Sequence, residues 1–294
     1  MKSKSKPIFT GACTALVTPF HDGKIDYFSL KNLIEFQISN GIDSLLVCGT
    51  TGESATLLDL EKRELISFVI REVAGRVPVI AGTGSNDTKR AVALSEFANE
   101  SGADALLVVT PYYNKASNEG LINHYGAISN AVDIPIILYN IPSRTGVNIS
   151  LEVYDELLKH NNVKALKEAS GNVSYLAKIA QRYGDSLDIY SGNDDLILPT
   201  LSLGGTGVIS VLSNALPKET AKICKSYFEG KIQDATSLQL QLLPLINALF
   251  SEVNPIPIKA LLSHLKLCHE EYRLPLCQMN EKLKDELIKR YQNT

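Results

Sequence analysis

The chain has 294 residues, of which 45% are hydrophobic and 21% charged, enough apolar material for one large core or two smaller ones. A formal net charge of −3 leaves no electrostatic footprint for nucleic acid or an anionic membrane, and no apolar run approaches the ~20 residues of a membrane span. The basic start MKSKSKPIFT leads into no long apolar stretch with a cleavage site, so it is a poor signal peptide.

Short β-rich runs recur along the chain. They are GACTALVTP (11–19), SLLVCG (44–49), VPVIAGTG (77–84), ALLVVTP (105–111), IPIILYNIP (134–142), VKALKEA (163–169), DIYSGN (188–193) and GVISVL (207–212). They start about twenty to thirty-three residues apart, the span of one βα unit. Helical patterns lie between them. In DLEKRELISFVIREVAG, Leu65, Val69 and Val73 share a face with Ile66 and Ile70 beside them, and Asp59 is the expected N-cap. NISLEVYDELLKH places Ser150 as N-cap ahead of Val153 and Leu157. Gly41, Gly75, Gly102 and Gly184 fall near helix ends, where a left-handed residue is often needed.

Strands that are mostly apolar on both faces, alternating with helices, predict a parallel sheet covered outside by helices. Eight such units favour a closed (β/α)8 TIM barrel over an open doubly wound sheet, because TPFHDGKID after the first run is no glycine-rich phosphate turn. The last ~65 residues carry no strand signal. TSLQLQLLPLINALFSEV, PIPIKALLSHLKL and NEKLKDELIKRYQ read as helices, with Pro244, Pro255 and Pro257 marking breaks or starts. The expected organisation is a catalytic barrel over 1–228 and a C-terminal helical extension over 229–294.

Five cysteines, at 13, 48, 224, 268 and 277, are odd in number and scattered, which suits reduced thiols in a cytosol. Cys268-His269 with His264 is the only metal-like cluster, and it lacks recognisable ligand spacing, so no metal is expected.

The run VKALKEAS poses the sharpest question. Val163, Ala165 and Lys167 share one parity, so in a regular strand all three project from one face, and if that face is buried so is the ammonium of Lys167. An unpaired buried charge costs several kcal/mol, and a lysine answers by lowering its pKa, which makes the amine a nucleophile toward carbonyls. The plainer alternatives are that Lys167 reaches solvent or pairs with Glu168. In a barrel, chemistry sits at the carboxyl ends of the strands. There the chain places GTTGES, PYYN, YNIPSRTG, KEAS and SGND. GTTGES offers the hydroxyls of Thr50 and Thr51 in a turn that can aim backbone N–H groups at a carboxylate. Tyr139 stands on the strand beside Lys167, and Arg144 is placed to capture a carboxylate. Tyr112 and Tyr113 are loop aromatics or packing groups. An amine, hydroxyls, an anion turn and a guanidinium at one mouth suit Schiff-base carbonyl chemistry on a small acidic substrate.

At these residues the sequence resembles the dihydrodipicolinate synthase family, within the pyruvate-dependent class I aldolase and N-acetylneuraminate lyase superfamily. TALVTPF, GTTGES, AGTGSN, TPYYNK, YNIPSRTG, KEASGN, SGND, GVISV and NPIPIK occur in order from about residue 8 to the C-terminus. The resemblance implies that Lys167 forms an imine with pyruvate. It implies a proton relay of Tyr139, Thr51 and Tyr113, the last reaching a neighbouring subunit's site, and a pyruvate carboxylate held by Thr50 and Thr51. Arg144 would bind aspartate semialdehyde, and Gly192 and Ile209 would line the site through their carbonyls. No cofactor is implied; a cytoplasmic homotetramer built as a dimer of dimers is. The departures are Ala116 in place of a common proline and Asn193 in place of a common aspartate. A sugar-acid lyase of the same superfamily is the alternative, disfavoured by Arg144 after YNIP. The resemblance also implies a lysine-binding cleft at Ser54, Ala55, Asn86 and Tyr112. There Asp59 and Lys62 replace two histidines and Arg90 replaces a glutamate, so weak or absent inhibition by lysine is expected.

Overall fold

All eight β-rich runs become strands of one closed parallel barrel in the computed structural model, which describes residues 6–294. The strands are Gly11–Ala15 (β1), Ser44–Val47 (β2), Val79–Gly82 (β3), Ala105–Val109 (β4), Ile136–Asn140 (β5), Val163–Glu168 (β6), Asp188–Ser191 (β7) and Gly207–Ser210 (β8). Each pairs with its neighbours in sequence, and β8 closes onto β1, so the open-sheet alternative is excluded. Closure depends on a close backbone approach: a Cβ on Gly207 would lie 1.9 Å from the Gly11 carbonyl oxygen. Most of the basic start, Met1–Ser5, lies outside the described residues.

Two apolar layers follow from strand alternation. Cys13, Ala15, Leu46, Ile80, Leu107, Ile137, Ala165 and Ile209 fill the lumen, and Phe9 stacks on Tyr190 with ring centroids 4.2 Å apart. The outer faces of the strands pack against the surrounding helices. Val163 corrects the parity expected for β6. The β5–β6 register shifts between Ile136 and Ile137, which pair with Val163 and Ala165. Lys164 is therefore an extra residue, a β-bulge that turns Val163 to the outer layer while Ala165 and Lys167 stay inward.

Four other local expectations change. The helix Asp59–Val73 has Leu58, not Asp59, as N-cap, and the Glu61 carboxylate accepts from Leu58 N–H at 2.8 Å. Gly184 has φ −58° and is right-handed, whereas Gly41, Gly75 and Gly102 are left-handed as expected. Pro244 lies inside the helix Ile232–Leu249 and neither breaks nor starts it; Leu240, whose carbonyl loses its N–H partner, is exposed. Ser150 is the N-cap of Leu151–Leu157, but its hydroxyl bonds Asn118 and does not cap.

The helices Ile232–Leu249, Ile256–His264 and Glu281–Gln292 follow the barrel. Leu242, Leu245, Ile258, Leu261 and Leu287 join the same outer core as the barrel helices. All five cysteines are free thiols, four of them buried and Cys277 exposed. Among the described residues no helix is long and apolar enough to cross a membrane, and no group of three or more His, Cys, Asp or Glu is set to hold a metal ion. His269 instead stacks on His21 at 4.1 Å.

His124 is 4% exposed on the helix Asn118–Ala131, with Nδ1 2.9 Å from Thr88 Oγ1 and Nε2 buried without a partner. Burial pushes its pKa down from 6.5 to about 4. Folding therefore favours the neutral ring. Its stabilisation is complete above pH 6.5 and is lost as pH falls toward 4, where the unfolded chain binds a proton that the folded chain refuses. Between pH 7 and 4.5 the native protein should lose about 2–3 kcal/mol more than His124→Gln in urea unfolding. Equal losses would contradict this origin.

Candidate active site

β5 and β6 place the centre of the site. Tyr139 and Lys167 are register partners on adjacent strands, both pointing into the lumen. Lys167 is 5% exposed, and its Nζ lies over the Tyr139 ring, 4.6 Å from the centroid. Neither plainer reading of Lys167 holds. It is buried, and Glu168 faces the other way, with one oxygen accepting from Asn140 Nδ2 at 2.9 Å and the other from Ser170 N–H at 2.7 Å. Burial raises the Glu168 pKa and these bonds oppose it. The buried Asp194 lies close enough for the charge of Lys167 to reach it. Burial pushes the Asp194 carboxyl up, while Ser210, the N–H groups of Leu212 and Val211, and Lys167 pull it down.

After β2 the turn GTTGES bonds Gly52 N–H to the Gly49 carbonyl and Glu53 N–H to the Thr50 carbonyl, both at 3.1 Å. The backbone donors it can turn toward an anion are those of Thr50 and Thr51. The Thr51 hydroxyl is buried and accepts from Asn254 Nδ2 at 3.1 Å. Arg144, on the one-turn helix Pro142–Thr145, donates from Nη2 to the Asn254 carbonyl at 3.0 Å. Thr50, Arg144, Ile141, Val109 and Asn254 border one cavity of about 320 Å³ at the strand ends. Ile209 is buried in the lumen, and Gly192 closes the wall so tightly that a Cβ there would lie 2.5 Å from the Ala169 Cβ. Tyr113 stands apart from its own lumen: it is 92% exposed with φ +71°. Among the described residues, Cys48, Glu53 and Tyr113 are three of six left-handed non-glycine residues, and all lie just beyond strand ends at this mouth.

The turn is clamped from the C-terminal side. Lys259, wholly buried, donates to Glu53 Oε1 at 2.6 Å and to the Thr18 carbonyl at 3.0 Å, and lies 4.3 Å from the Phe20 ring centroid. Burial pulls the Lys259 pKa down while Glu53 resists. The other Glu53 oxygen accepts from Arg273 N–H at 3.1 Å, and the Arg273 guanidinium grips Glu61 with two bonds of 2.6 Å.

A buried amine over a phenol ring in the lumen of a (β/α)8 barrel, beside a turn of two threonines, is the arrangement that a class I aldolase-type lyase needs for Schiff-base chemistry. The relatives narrow the class. The model of the dihydrodipicolinate synthetase family matches residues 8–293. A 4-hydroxy-tetrahydrodipicolinate synthase from Clostridium perfringens (strain SM101) is 52% identical over 274 residues, covering 93% of this chain and 94% of that protein. One from Caldicellulosiruptor saccharolyticus is 54% identical over 284 residues, covering 96% of each. The crystal structure of dihydrodipicolinate synthase from Aquifex aeolicus superposes with a TM-score of 0.95 at 45% identity, covering 97% of this chain and 98% of that one. The chain belongs to the dihydrodipicolinate synthetase family.

Asp194, Asn254, Glu53 and Lys259 are parts of the site to which sequence reasoning assigned no role. Lys259 carried the same signal as Lys167, a lysine inside an apolar run (PIPIKALL). Of the four residues expected to line a lysine cleft, Ser54, Ala55 and Tyr112 border the same cavity as Thr50 and Arg144, and Asn86 does not line it. Asp59, freed from capping, lies 4.0 Å from Arg90, both side chains being exposed.

Removing one partner of a buried ion pair leaves the other uncompensated. Lys259→Met should cost about 3–5 kcal/mol in denaturant unfolding. A loss below about 1 kcal/mol would show that Glu53 finds another partner or a proton.

Proposed function

We propose that the chain catalyses the 4-hydroxy-tetrahydrodipicolinate synthase reaction, condensing pyruvate with L-aspartate 4-semialdehyde on the path to lysine and diaminopimelate. The observation that carries this reading is the buried Lys167 Nζ against the Tyr139 ring, at the end of the barrel where Thr50 and Arg144 border a cavity. The amine of Lys167 adds to the pyruvate ketone and water leaves, giving an imine. The imine acidifies the methyl group, and the enamine formed by its deprotonation attacks the aldehyde carbon of the semialdehyde. The semialdehyde amine then displaces Lys167 as the ring closes.

Protons move through Tyr139, Thr51 and the Tyr113 of a neighbouring subunit. The exposed phenol of Tyr113 on a left-handed backbone supports a role outside its own barrel, and hence a homotetramer of two dimers. Thr50 and Thr51 hold the pyruvate carboxylate, and the Gly192 and Ile209 carbonyls line the same pocket. Arg144, anchored to Asn254 by one nitrogen, has further N–H groups for the semialdehyde carboxylate. The barrel of 1–228 carries the chemistry, and 229–294 braces its mouth. No cofactor takes part, and the cytoplasm is the compartment that fits free thiols and these substrates.

The second reading is a sugar-acid lyase of the same superfamily, and Arg144 on the short helix favours a short carboxylated aldehyde over a polyol. Purified protein should condense pyruvate with aspartate semialdehyde and leave N-acetylneuraminate uncleaved. The reverse pattern would move it to the lyase branch. Arg144→Ala should lower kcat/KM for the semialdehyde about thirty- to a thousandfold, the equivalent of roughly 2–4 kcal/mol, while pyruvate still forms its imine. Equal damage to both steps would make Arg144 structural.

Lysine at millimolar concentration should inhibit weakly or not at all, because Arg90 presents a like charge to its ammonium. Strong inhibition at saturating pyruvate would mean that another group receives that ammonium.

A further inference from the structure

The Asn254 side chain and main chain touch two different parts of the site. Its Nδ2 donates to Thr51 Oγ1 at 3.1 Å, and its carbonyl accepts from Arg144 Nη2 at 3.0 Å. The residue is 7% exposed, and its Oδ1 is buried with no hydrogen-bond partner. Here the oxygen goes unmet and the nitrogen meets Thr51.

The choice of atom matters to a hydroxyl. Thr51 has one proton and two lone pairs. A bond accepted from Nδ2 occupies one lone pair and leaves the proton and the second lone pair free, so the hydroxyl can take a proton on one side and give one on the other. A bond to Oδ1 would tie up the proton and end the relay at Thr51. We propose that Asn254 is a positioning residue that sets the direction of proton transfer through Thr51, while its backbone carbonyl independently fixes Arg144. This rests on the relay assigned under the proposed function.

The test compares Asn254→Asp and Asn254→Ala with the native tetramer. The ionised carboxylate introduced by N254D only accepts, so it should hold the Thr51 proton. We expect kcat at pH 8 to fall about a hundredfold in N254D, the low end of the range removed with a proton-transfer group, and by less, about tenfold, in N254A, which leaves the Thr51 proton free. KM for the semialdehyde should stay within about threefold, because the main-chain bond to Arg144 survives. The distinguishing readout is pH. As the new carboxyl protonates it regains a donor, so the kcat of N254D relative to native should rise at least about tenfold from pH 8 to pH 6.

A native-like kcat and pH profile in N254D, or a change confined to KM, would overturn the proposal. If N254D does not fold, N254A decides through the solvent isotope effect on kcat. It should be larger than the native one because proton transfer has become slower, and an unchanged effect would overturn the proposal. Failure of the underlying reading looks different: the native protein itself would form no imine with pyruvate.

Discussion

The pairing of β5 with β6 is the constraint on which the site depends. Side chains alternate along a strand, so a slip of one residue would send Lys167 to the outer layer and Glu168 into the lumen. The bulge at Lys164 prevents this. It lets Val163 and Leu166 both serve the outer core, yet delivers Ala165 and Lys167 inward, opposite Ile137 and Tyr139. Once the pairing holds, Glu168 must be satisfied on the far side, and Asn140 and Ser170 meet it there. The lumen around Lys167 is apolar below, where Ala165, Cys13 and Tyr190 fill it, and polar above, where the strand-end turns gather. An amine at that boundary is screened from bulk water.

The C-terminal helices belong to the mouth as much as the barrel does. Glu53 sits in a left-handed turn, a conformation that costs on the order of 1–3 kcal/mol unless its surroundings enforce it. Lys259 and Arg273 supply that enforcement through the two oxygens of one carboxylate. A buried ion pair is weak evidence for net stability, since desolvating both charges offsets most of their attraction. Its effect here is geometric: the turn that offers Thr50 and Thr51 has one position relative to Asn254, and through Asn254 relative to Arg144. Groups from three separate segments are thereby held in one frame.

Much of this was legible in the sequence. Short unbroken apolar runs, each followed by a helix-period pattern, predicted the barrel because a strand buried on both faces is apolar throughout and does not alternate. Lys167, Tyr139, Thr50, Thr51, Arg144, Gly192 and Ile209 were placed at strand ends by that topology and given roles by resemblance. The misreadings were local. A bulge leaves no mark in hydropathy, so Val163 was assigned to the wrong face. Asp59 looked like a cap because the true cap, Leu58, offers no side-chain oxygen and relies on Glu61 reaching back. The clamp on GTTGES was invisible for another reason: Glu53 and Lys259 lie 206 residues apart, and nothing along the chain says that they meet.

The nucleophilic lysine is tested most directly by chemical trapping. Sodium borohydride added to the protein with pyruvate reduces an imine to a stable secondary amine, and peptide mass mapping locates it. One reduced pyruvate per chain, on the peptide containing Lys167 and nowhere else, is the predicted result. Label on a different lysine, or a folded and active protein that takes no label, would contradict the assignment of Lys167.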